Sequence, residues 1–274
     1  HARARNGGHI PMNYRDVALS AFDPVADAIQ VDAAAADELF AVVDLLEEQP
    51  PLRRSLSDPS ASSEDRQALA RRLFEGRLGT ASLSVVVEAV SRPWSSGRVM
   101  IEAIERQGVR GLLRVATVRG ELKRVQEELH QFALLIESSP ELSDALRNRG
   151  RSLADRRALI ARLLTGRVAS VMEMLALRAA APRARTVPLA LTSYVALAAH
   201  LAGEKVARVT VARPLDTGRI QRLRRALEAR VGGPVLLLIE VDENVIGGMS
   251  VDLGTHVFES TVAGRLDEVR RLLN

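Results

Sequence analysis

The chain has 274 residues, 47% of them hydrophobic and 26% charged, which is the composition of a soluble globular protein long enough for two or three domains. It contains no cysteine, and this excludes disulfides, thiolate metal sites and a cysteine nucleophile. The pI of about 10.2 comes with a net charge of only +4. Because many arginines stand beside acidic residues in helical patterns, a salt-bridged, solvated helix surface explains the basic pI better than nucleic-acid binding does.

The N-terminus carries no targeting signal that the sequence reveals. We interpret residues 1–11 as a tail or an added remnant, because they lack the hydrophobic core of a signal peptide and precede Met12, the expected natural start. The longest mildly apolar stretch, residues 187–203, is interrupted by polar residues and is short for a bilayer. The sequence therefore predicts a buried helix in this stretch and no membrane span.

The chain repeats itself at an offset of ninety residues. Residues 45–77 align without a gap on residues 135–167, and 14 of the 33 aligned positions are identical. A match of that density indicates an internal duplication, which decides how many units the fold has. We therefore expect residues 30–90, the first copy, and residues 120–180, the second copy, to adopt the same helical arrangement.

Both ends of one helix are marked in each copy. Ser62 and Ser152 each begin a Ser-x-x-Asp pattern, in which the serine hydroxyl accepts a hydrogen bond from a backbone amide of the first turn. Apolar residues follow at helical spacing, and Gly76 and Gly166 then supply the left-handed residue that ends a helix. The pattern predicts the two serines as N-caps and the two glycines as C-terminal stops.

Further helices are predicted around this capped helix. A longer amphipathic helix precedes it and ends at Pro50 or Pro140, and another apolar helix follows each glycine stop. Because the connections are short, each copy is expected to form a compact antiparallel bundle, with Trp94 in the core or at a joint. The apolar stripe of the longer helix is Leu39, Val42 and Leu46 in the first copy and Leu122, Val125, Leu129, Phe132 and Ile136 in the second.

A different pattern begins near residue 206. "ARVTV" alternates apolar and polar residues, as a half-buried strand does, and a helix is predicted over residues 217–231. "PVLLLIEV" predicts a buried strand, and residues 249–259 predict the two arms of a hairpin before a terminal helix over residues 261–273. These elements would form a small α/β unit.

The elements together predict an α+β fold that is mostly α. Two tandem duplicated helical bundles, residues 12–115 and 116–205, precede a small α/β C-terminal domain, residues 206–274. The tail of residues 1–11 stands outside this fold.

The sequence contains no pattern of an active site. It lacks a P-loop, a G-x-G-x-x-G loop, an H-E-x-x-H pair and a serine nucleophile elbow. His130 and His200 fall in helical stretches, where a structural histidine is expected, and Gly247-Gly248 is expected to form a tight turn. We therefore predict no catalytic residue, no cofactor and no metal site.

Two other classes of protein stay open at this point. The first is an Arg-rich helical nucleic-acid-binding protein, for which "RNRGR" at residues 147–151 is the best basic cluster, although no aromatic residues interleave with it. The second is an unrecognised enzyme. Salt-dependent DNA affinity would favour the first, and a polar pocket with perturbed titratable groups would favour the second.

The C-terminal third has a specific order of elements: a helix, an apolar strand, an acidic turn, an Ile-Gly-Gly step, a hairpin with a glycine and a Gly-Arg-Leu helix. The motif residues are Asp242, Ile246, Gly247, Gly248, Gly254, Gly264, Arg265 and Leu266. This order resembles the conserved end of the F-type ATP synthase delta subunit, the bacterial counterpart of the oligomycin-sensitivity-conferring protein. Two departures concern local turns, since residues 259–261 replace the usual Asp-Gly-Ser and Thr255 replaces an acidic residue.

The helical part resembles the N-terminal bundle of the same family, present twice as in the enlarged actinobacterial members. The resemblance implies a non-enzymatic stator subunit that ties the catalytic head to the peripheral stalk, so that proton-driven rotation becomes ATP synthesis. It implies that a bundle binds the N-terminal helices of the α subunit and that the C-terminal region binds the C-terminal region of the b subunit. It implies no nucleic acid as a partner. The expected location is the cytoplasmic face of the cell membrane, reached only through partners.

Overall fold

The structure is a computed structural model that describes residues 14–148, 150–181, 186–242, 249–253 and 257–259. The described residues form helices and one small sheet, which confirms the predicted α+β fold that is mostly α. The chain divides into two compact units, residues 1–119 and residues 120–274, so the second copy and the sheet belong to the same unit. The finer division into three domains stays a prediction. The tail and the terminal helix predicted from the sequence lie outside the described residues.

Helices make up the described part of the first unit. Its core lies between its two longest helices, on which Leu39 and Leu112 are fully buried. Burial of one such side chain stabilises the fold by about 1.5–3 kcal/mol. Asp32 and Ser96 cap these two helices, and each accepts a hydrogen bond from an amide of the first turn. The helices are α1 (Tyr14–Asp27), α2 (Ala33–Glu48), α3 (Pro50–Leu56), α4 (Ser63–Phe74), α5 (Thr80–Ser91) and α6 (Gly97–Val118).

The described residues of the second unit form five helices, a sheet and one further helix. The helices are α7 (Leu122–Ser138), α8 (Pro140–Arg147), α9 (Leu153–Leu164), α10 (Ser170–Ala179), α11 (Val187–Leu201) and α12 (Thr217–Val231). The strands are β1 (Lys205–Val211), β2 (Val235–Val241), β3 (Met249–Asp252) and β4 (Val257–Glu259). Helix α12 connects β1 to β2 and has the bounds that the sequence predicts.

The strands form one sheet in the order β2-β1-β3-β4. Strand β1 pairs in parallel with β2 and antiparallel with β3, so Val209 lies opposite both Ile239 and Val251. Alternate residues of β1 are buried, as the alternating sequence predicts. They pack with Leu227 of α12 in a small apolar core.

Helices recur in the two copies at the offset found in the sequence. Helices α3 and α8 begin at Pro50 and Pro140, and α4 and α9 span residues 63–74 and 153–164. Helices α5 and α10 likewise begin ninety residues apart. The order of helices is therefore what the duplication requires, while the superposition of the two copies stays a prediction.

Helix α6 occupies two places in this repeat. Its first residue, Gly97, lies ninety residues before Val187, the first residue of α11. Its later part, residues 104–117, lies ninety residues after α1. Counted by the repeat, the same helix is both the last helix of the first copy and the first helix of the second.

Candidate interaction surfaces of the two units

Ser62 and Ser152 are the N-caps of α4 and α9. The hydroxyl of Ser62 accepts a hydrogen bond from the amide of Asp65 at 3.0 Å, and that of Ser152 accepts one from Asp155 at 3.1 Å. The second copy also has the reciprocal bond, in which the Ser152 amide donates to the Asp155 carboxylate at 3.2 Å. The Ser152 hydroxyl also donates to the Asp155 carboxylate at 2.8 Å. This bond, followed by the one from the Ser152 amide, lowers the pKa of Asp155.

Gly76 and Gly166 follow the ends of these helices in the left-handed conformation. Their φ angles are 73° and 75°. No atom lies within 4 Å of the place where a Cβ would stand on either residue, so it is the backbone angle that favours glycine here.

A second pair of caps joins helices that are distant in sequence. Glu38 on α2 accepts from the amide of Gly79 at 2.8 Å, and Glu128 on α7 accepts from the amide of Ala169 at 2.9 Å. Each carboxylate satisfies a free amide at the start of the following α5 or α10. Sequence reasoning missed these bonds because they span 41 residues. The one available signal was that both glutamates stand at the same place in the repeat.

A buried charge cluster joins α1 to α6 in the first unit. Asp23 is only 5% exposed. Its carboxylate accepts hydrogen bonds from Arg106 at 2.8 and 2.6 Å, from Gln107 at 2.9 Å and from Arg110 at 2.9 Å. Every oxygen of this buried carboxylate is therefore bonded, which is what a buried charge needs to be tolerated.

Asp27, one turn further along α1, extends the cluster toward solvent. It accepts from Arg110 at 2.7 Å and also pairs with Arg114. Partial burial raises the pKa of Asp27, but the hydrogen bonds and charges of Arg110 and Arg114 outweigh it and leave the pKa below its usual value of 3.8.

The repeat does not carry this charge cluster. Ninety positions later, the chain has Leu113 in place of Asp23, Ala196 in place of Arg106, Leu197 in place of Gln107 and His200 in place of Arg110.

Trp94 lies at a joint between helices, one of the two places predicted for it. Its indole donates to the carbonyl of Ala89 at 2.7 Å, and its ring meets Phe22 of α1 edge-on at 5.7 Å. The side chain is half-buried. The Trp94 side chain therefore connects α1 to the end of α5.

Each copy exposes a leucine at the same place. Leu45 near the end of α2 is 39% exposed, and Leu135, ninety residues later on α7, is 50% exposed. The neighbouring Leu134 is also exposed. Single exposed apolar residues are ordinary, but a position that is exposed and apolar in both copies is a candidate contact for an apolar partner surface.

Asp242 is the one family-motif residue within the described part of the chain. It directly follows β2, and its amide donates to the carbonyl of Val211 at 2.9 Å. The motif residues outside the described part are Ile246, Gly247, Gly248, Gly254, Gly264, Arg265 and Leu266. Their structural role stays a prediction.

The described residues offer little for small-molecule chemistry. Among them, no group of three His, Asp or Glu side chains is placed to hold a metal ion. An open depression of about 330 Å³ on α9 is lined by Arg151, Asp155, Ala158, Leu159 and Arg162. Within the same part of the chain, no helix is both long and apolar enough to cross a membrane.

Comparisons with known proteins identify relatives along the whole chain. The family model "ATP synthase delta (OSCP) subunit" matches residues 104–273. The ATP synthase subunit delta of Corynebacterium urealyticum is 36% identical over 274 residues, which are 100% of this chain and 99% of that protein. The subunit delta of Nocardioides sp. is 38% identical over 88% of this chain and 87% of that protein. That of Kineococcus radiotolerans is 34% identical over 97% and 99%.

Among solved structures, a chain of the Toxoplasma gondii mitochondrial ATP synthase hexamer is similar with a TM-score of 0.39 and 17% identity, over 60% of this chain and 94% of that one. This similarity is too weak to support an argument. The family model covers more than half of the chain, and the relatives exceed 30% identity over nearly their full length. The family resemblance seen in the sequence is thereby confirmed: the chain belongs to the ATP synthase delta (OSCP) subunit family.

Proposed function

We propose that this chain is the stator subunit that links the catalytic head of an F-type ATP synthase to its peripheral stalk. As a member of the delta family it is a non-catalytic subunit of that complex. The observation that carries the proposal is the similarity to delta subunits along the entire chain. The head, held by this link, does not turn with the rotor, and proton-driven rotation can then be converted into ATP synthesis.

A connector of this kind needs two different binding ends. The chain offers an all-helical first unit, as far as it is described, and a second unit that adds a sheet to its helices. The joint must also withstand torque, and an affinity in the nanomolar range corresponds to about −12 kcal/mol. Helix packing through apolar faces is one way to reach such an affinity.

The finer assignment of partners is part of the proposal. A helical bundle would bind the N-terminal helices of the α subunit, and the C-terminal α/β region would bind the C-terminal region of the b subunit. The exposed Leu45 and Leu135 support the first part, because an amphipathic helix would cover such apolar positions. The chain would act at the cytoplasmic face of the cell membrane, as a peripheral subunit of the membrane-bound complex.

The nucleic-acid-binding alternative is not supported. Relatives that match this chain over nearly their whole length are delta subunits, so the basic pI needs another explanation.

Calorimetry provides a check on the enzyme alternative. We expect the isolated chain to show no binding of ATP with magnesium, and a dissociation constant in the low micromolar range would contradict the proposal.

The main experiment measures binding of the full chain to each partner separately. The full chain is needed because a cut at residue 206 would divide the second compact unit. We expect capture of both the α subunit and the b subunit. Capture of neither would overturn the proposed function.

A matched pair of variants would assign the α-binding copy. Leu45→Asp and Leu135→Asp make the same change at equivalent, exposed positions of the two copies. The variant that weakens binding of α while leaving binding of b intact identifies the copy that contacts the head. If neither variant weakens it, the exposed leucines do not form the α-binding surface.

A further inference from the structure

Helix α12 is strongly basic. It contains five arginines and one glutamate, a net charge of 5 − 1 = +4. The whole chain has a net charge of +4, from 38 basic and 34 acidic residues, and residues 147–167 form another basic segment. The arginines of α12 are Arg219, Arg222, Arg224, Arg225 and Arg230.

One side of α12 packs against the sheet, and the opposite side is exposed. Leu227 is buried in the sheet core, and Ile220 and Leu223 pack partly against it. At 3.6 residues per turn, Arg222 and Arg225 fall on the opposite side of the helix. Both are exposed.

Some arginines on helix surfaces of this chain are paired with carboxylates. Arg124 on α7 pairs with Glu128 at 2.8 Å, and Arg219 pairs with Asp216 at 3.2 Å. Within the described ranges, neither Arg222 nor Arg225 forms an ion pair with a carboxylate. The nearby acidic residue is Asp216, whose pKa is lowered by the amide of Arg219 and then by the charges of Arg219 and Arg222. The exposed side of α12 therefore carries more positive than negative charge.

The residues around the two arginines are small. Gly218, Ala226 and Ala229 are exposed on the same side of the helix, so the backbone of a partner can approach closely. The outer face of α12, defined as Gly218, Arg222, Arg225, Ala226 and Ala229, contains no aromatic residue on which a base could stack. It also has no large apolar residue that could enter a membrane interface.

We infer that the outer face of α12 is a docking surface for an acidic helical segment of the stalk partner. The planar guanidinium groups of Arg222 and Arg225 bind carboxylates in a bidentate manner, and two such groups one turn apart match glutamates or aspartates at helical spacing. The inference rests on the proposed function and adds the chemistry of the stalk segment and the place where it binds.

The test compares charge-reversal variants of the full chain in binding to the soluble part of the b subunit. Arg222→Glu/Arg225→Glu should weaken binding at least tenfold at low salt, because it replaces attraction by repulsion. It should also flatten the salt dependence of the affinity. Arg222→Gln/Arg225→Gln should weaken binding less. The control is Arg71→Glu/Arg72→Glu on α4, which makes the same change in net charge at exposed positions of the first unit.

The possible outcomes distinguish a failure of the docking surface from a failure of the proposed function. If the unchanged chain binds the b subunit, and the α12 variants bind as tightly as the α4 control, the docking surface is overturned while the proposed function stands. If the unchanged chain does not bind the b subunit at all, the proposed function fails first. Stronger capture by anionic vesicles than by the b subunit would also overturn the inference. Circular dichroism and the glutamine variant show whether any loss comes from unfolding.

Discussion

The two copies of the repeat keep the same helix ends but differ in how their helices pack. Ser62 and Ser152 cap equivalent helices, and Glu38 and Glu128 bind equivalent amides. A cap depends on one side chain and one backbone group, and its loss leaves an amide unsatisfied. The helix caps are therefore the same in the two copies, whereas residues in the helix interfaces differ between the copies at several places.

One change concerns the contact between the long helices of each copy. In the first unit Phe40 packs over Gly108, and a Cβ on this glycine would lie 2.6 Å from the ring. The residues ninety positions later are His130 and Ala198. His130 is exposed, whereas Ala198 is buried. The second copy thus has the larger residue at the buried helix position, and its counterpart of Phe40 is exposed, which suggests a coupling that mutation can test.

The other change concerns the first helix. In the first unit α1 is fixed to α6 by the charge cluster around Asp23, whereas the corresponding positions in the repeat are mostly apolar. Ion pairs of this kind give geometric specificity more reliably than net stability. The comparison indicates that the first unit depends on the buried carboxylate of Asp23 for a contact that the equivalent residues of the repeat cannot make.

The largest expected effect is the removal of that carboxylate. Asp23→Ala leaves Arg106 and Arg110 with too few acceptors, and we expect it to destabilise the first unit by about 3–5 kcal/mol. Hydrogen exchange measured on the full chain should rise in peptides of α1 and α6, with peptides of α7 and α11 as the internal reference. The control is Asp23→Leu/Arg106→Ala/Arg110→His, which introduces the residues of the repeat together and should cost less. Unchanged exchange in Asp23→Ala would mean that the cluster does not hold α1.

The next effect tests the glycine contact. Gly108→Ala forces the ring of Phe40 to move, and we expect a cost of about 1–3 kcal/mol from overpacking, less the gain in helix propensity. Adding Phe40→His, the residue of the second copy, should recover part of this loss in a double-mutant cycle by urea unfolding. The reverse change in the second copy, Ala198→Gly, should cost only about 1 kcal/mol from helix propensity and lost burial. Additive effects of Gly108→Ala and Phe40→His would refute the coupling.

The caps should show similar effects in both copies. Ser62→Ala and Ser152→Ala each remove one bond to an amide, with an expected loss of about 1 kcal/mol. The measurement is local hydrogen exchange at the start of α4 and of α9. A clear effect at one serine and none at the other would contradict the equivalence of the two helix starts.

The smallest effect is a dependence on pH in the first unit. Because the folded pKa of Asp27 is depressed, its contribution is present above the unfolded value of 3.8 and is lost as the pH falls through the folded pKa. Trp94, the only tryptophan, reports on α1 through its contact with Phe22. We expect its emission to move to longer wavelengths below about pH 4. In Asp27→Asn part of this step should disappear, and an identical profile in both proteins would exclude Asp27 as its source.

The sequence could predict what depends on neighbouring residues. The ends of α4 and α9 are determined by neighbouring residues, namely Ser62, Gly76 and their equivalents in the second copy. Helix α12 is likewise predicted by the helical spacing of its apolar residues and by the glycine that follows it. The cluster around Asp23 could not be predicted, because its partners lie 83 to 87 residues away. Helix α1 itself continues through Pro24, where local propensity argues against a helix.

The candidate interaction surfaces also differ in how far the sequence alone could predict them. The family motif could be read from residue order alone, although most of its residues lie outside the described part. The outer face of α12 needed the structure, because the sequence shows an arginine-rich helix without showing which side meets the sheet. The packing of Leu227 decides that orientation.

Helix α6 counts twice in the repeat, and this affects how many helices an additional copy would add. Two complete six-helix domains in tandem would contain twelve helices, whereas α1 to α11 are eleven, because α6 counts twice in the repeat. Helix α6 itself lies in the first unit. Counted by the repeat, each added copy then brings five helices and ninety residues. A duplication that fits this count has its boundaries within helical segments, so the junction between the two copies falls inside α6.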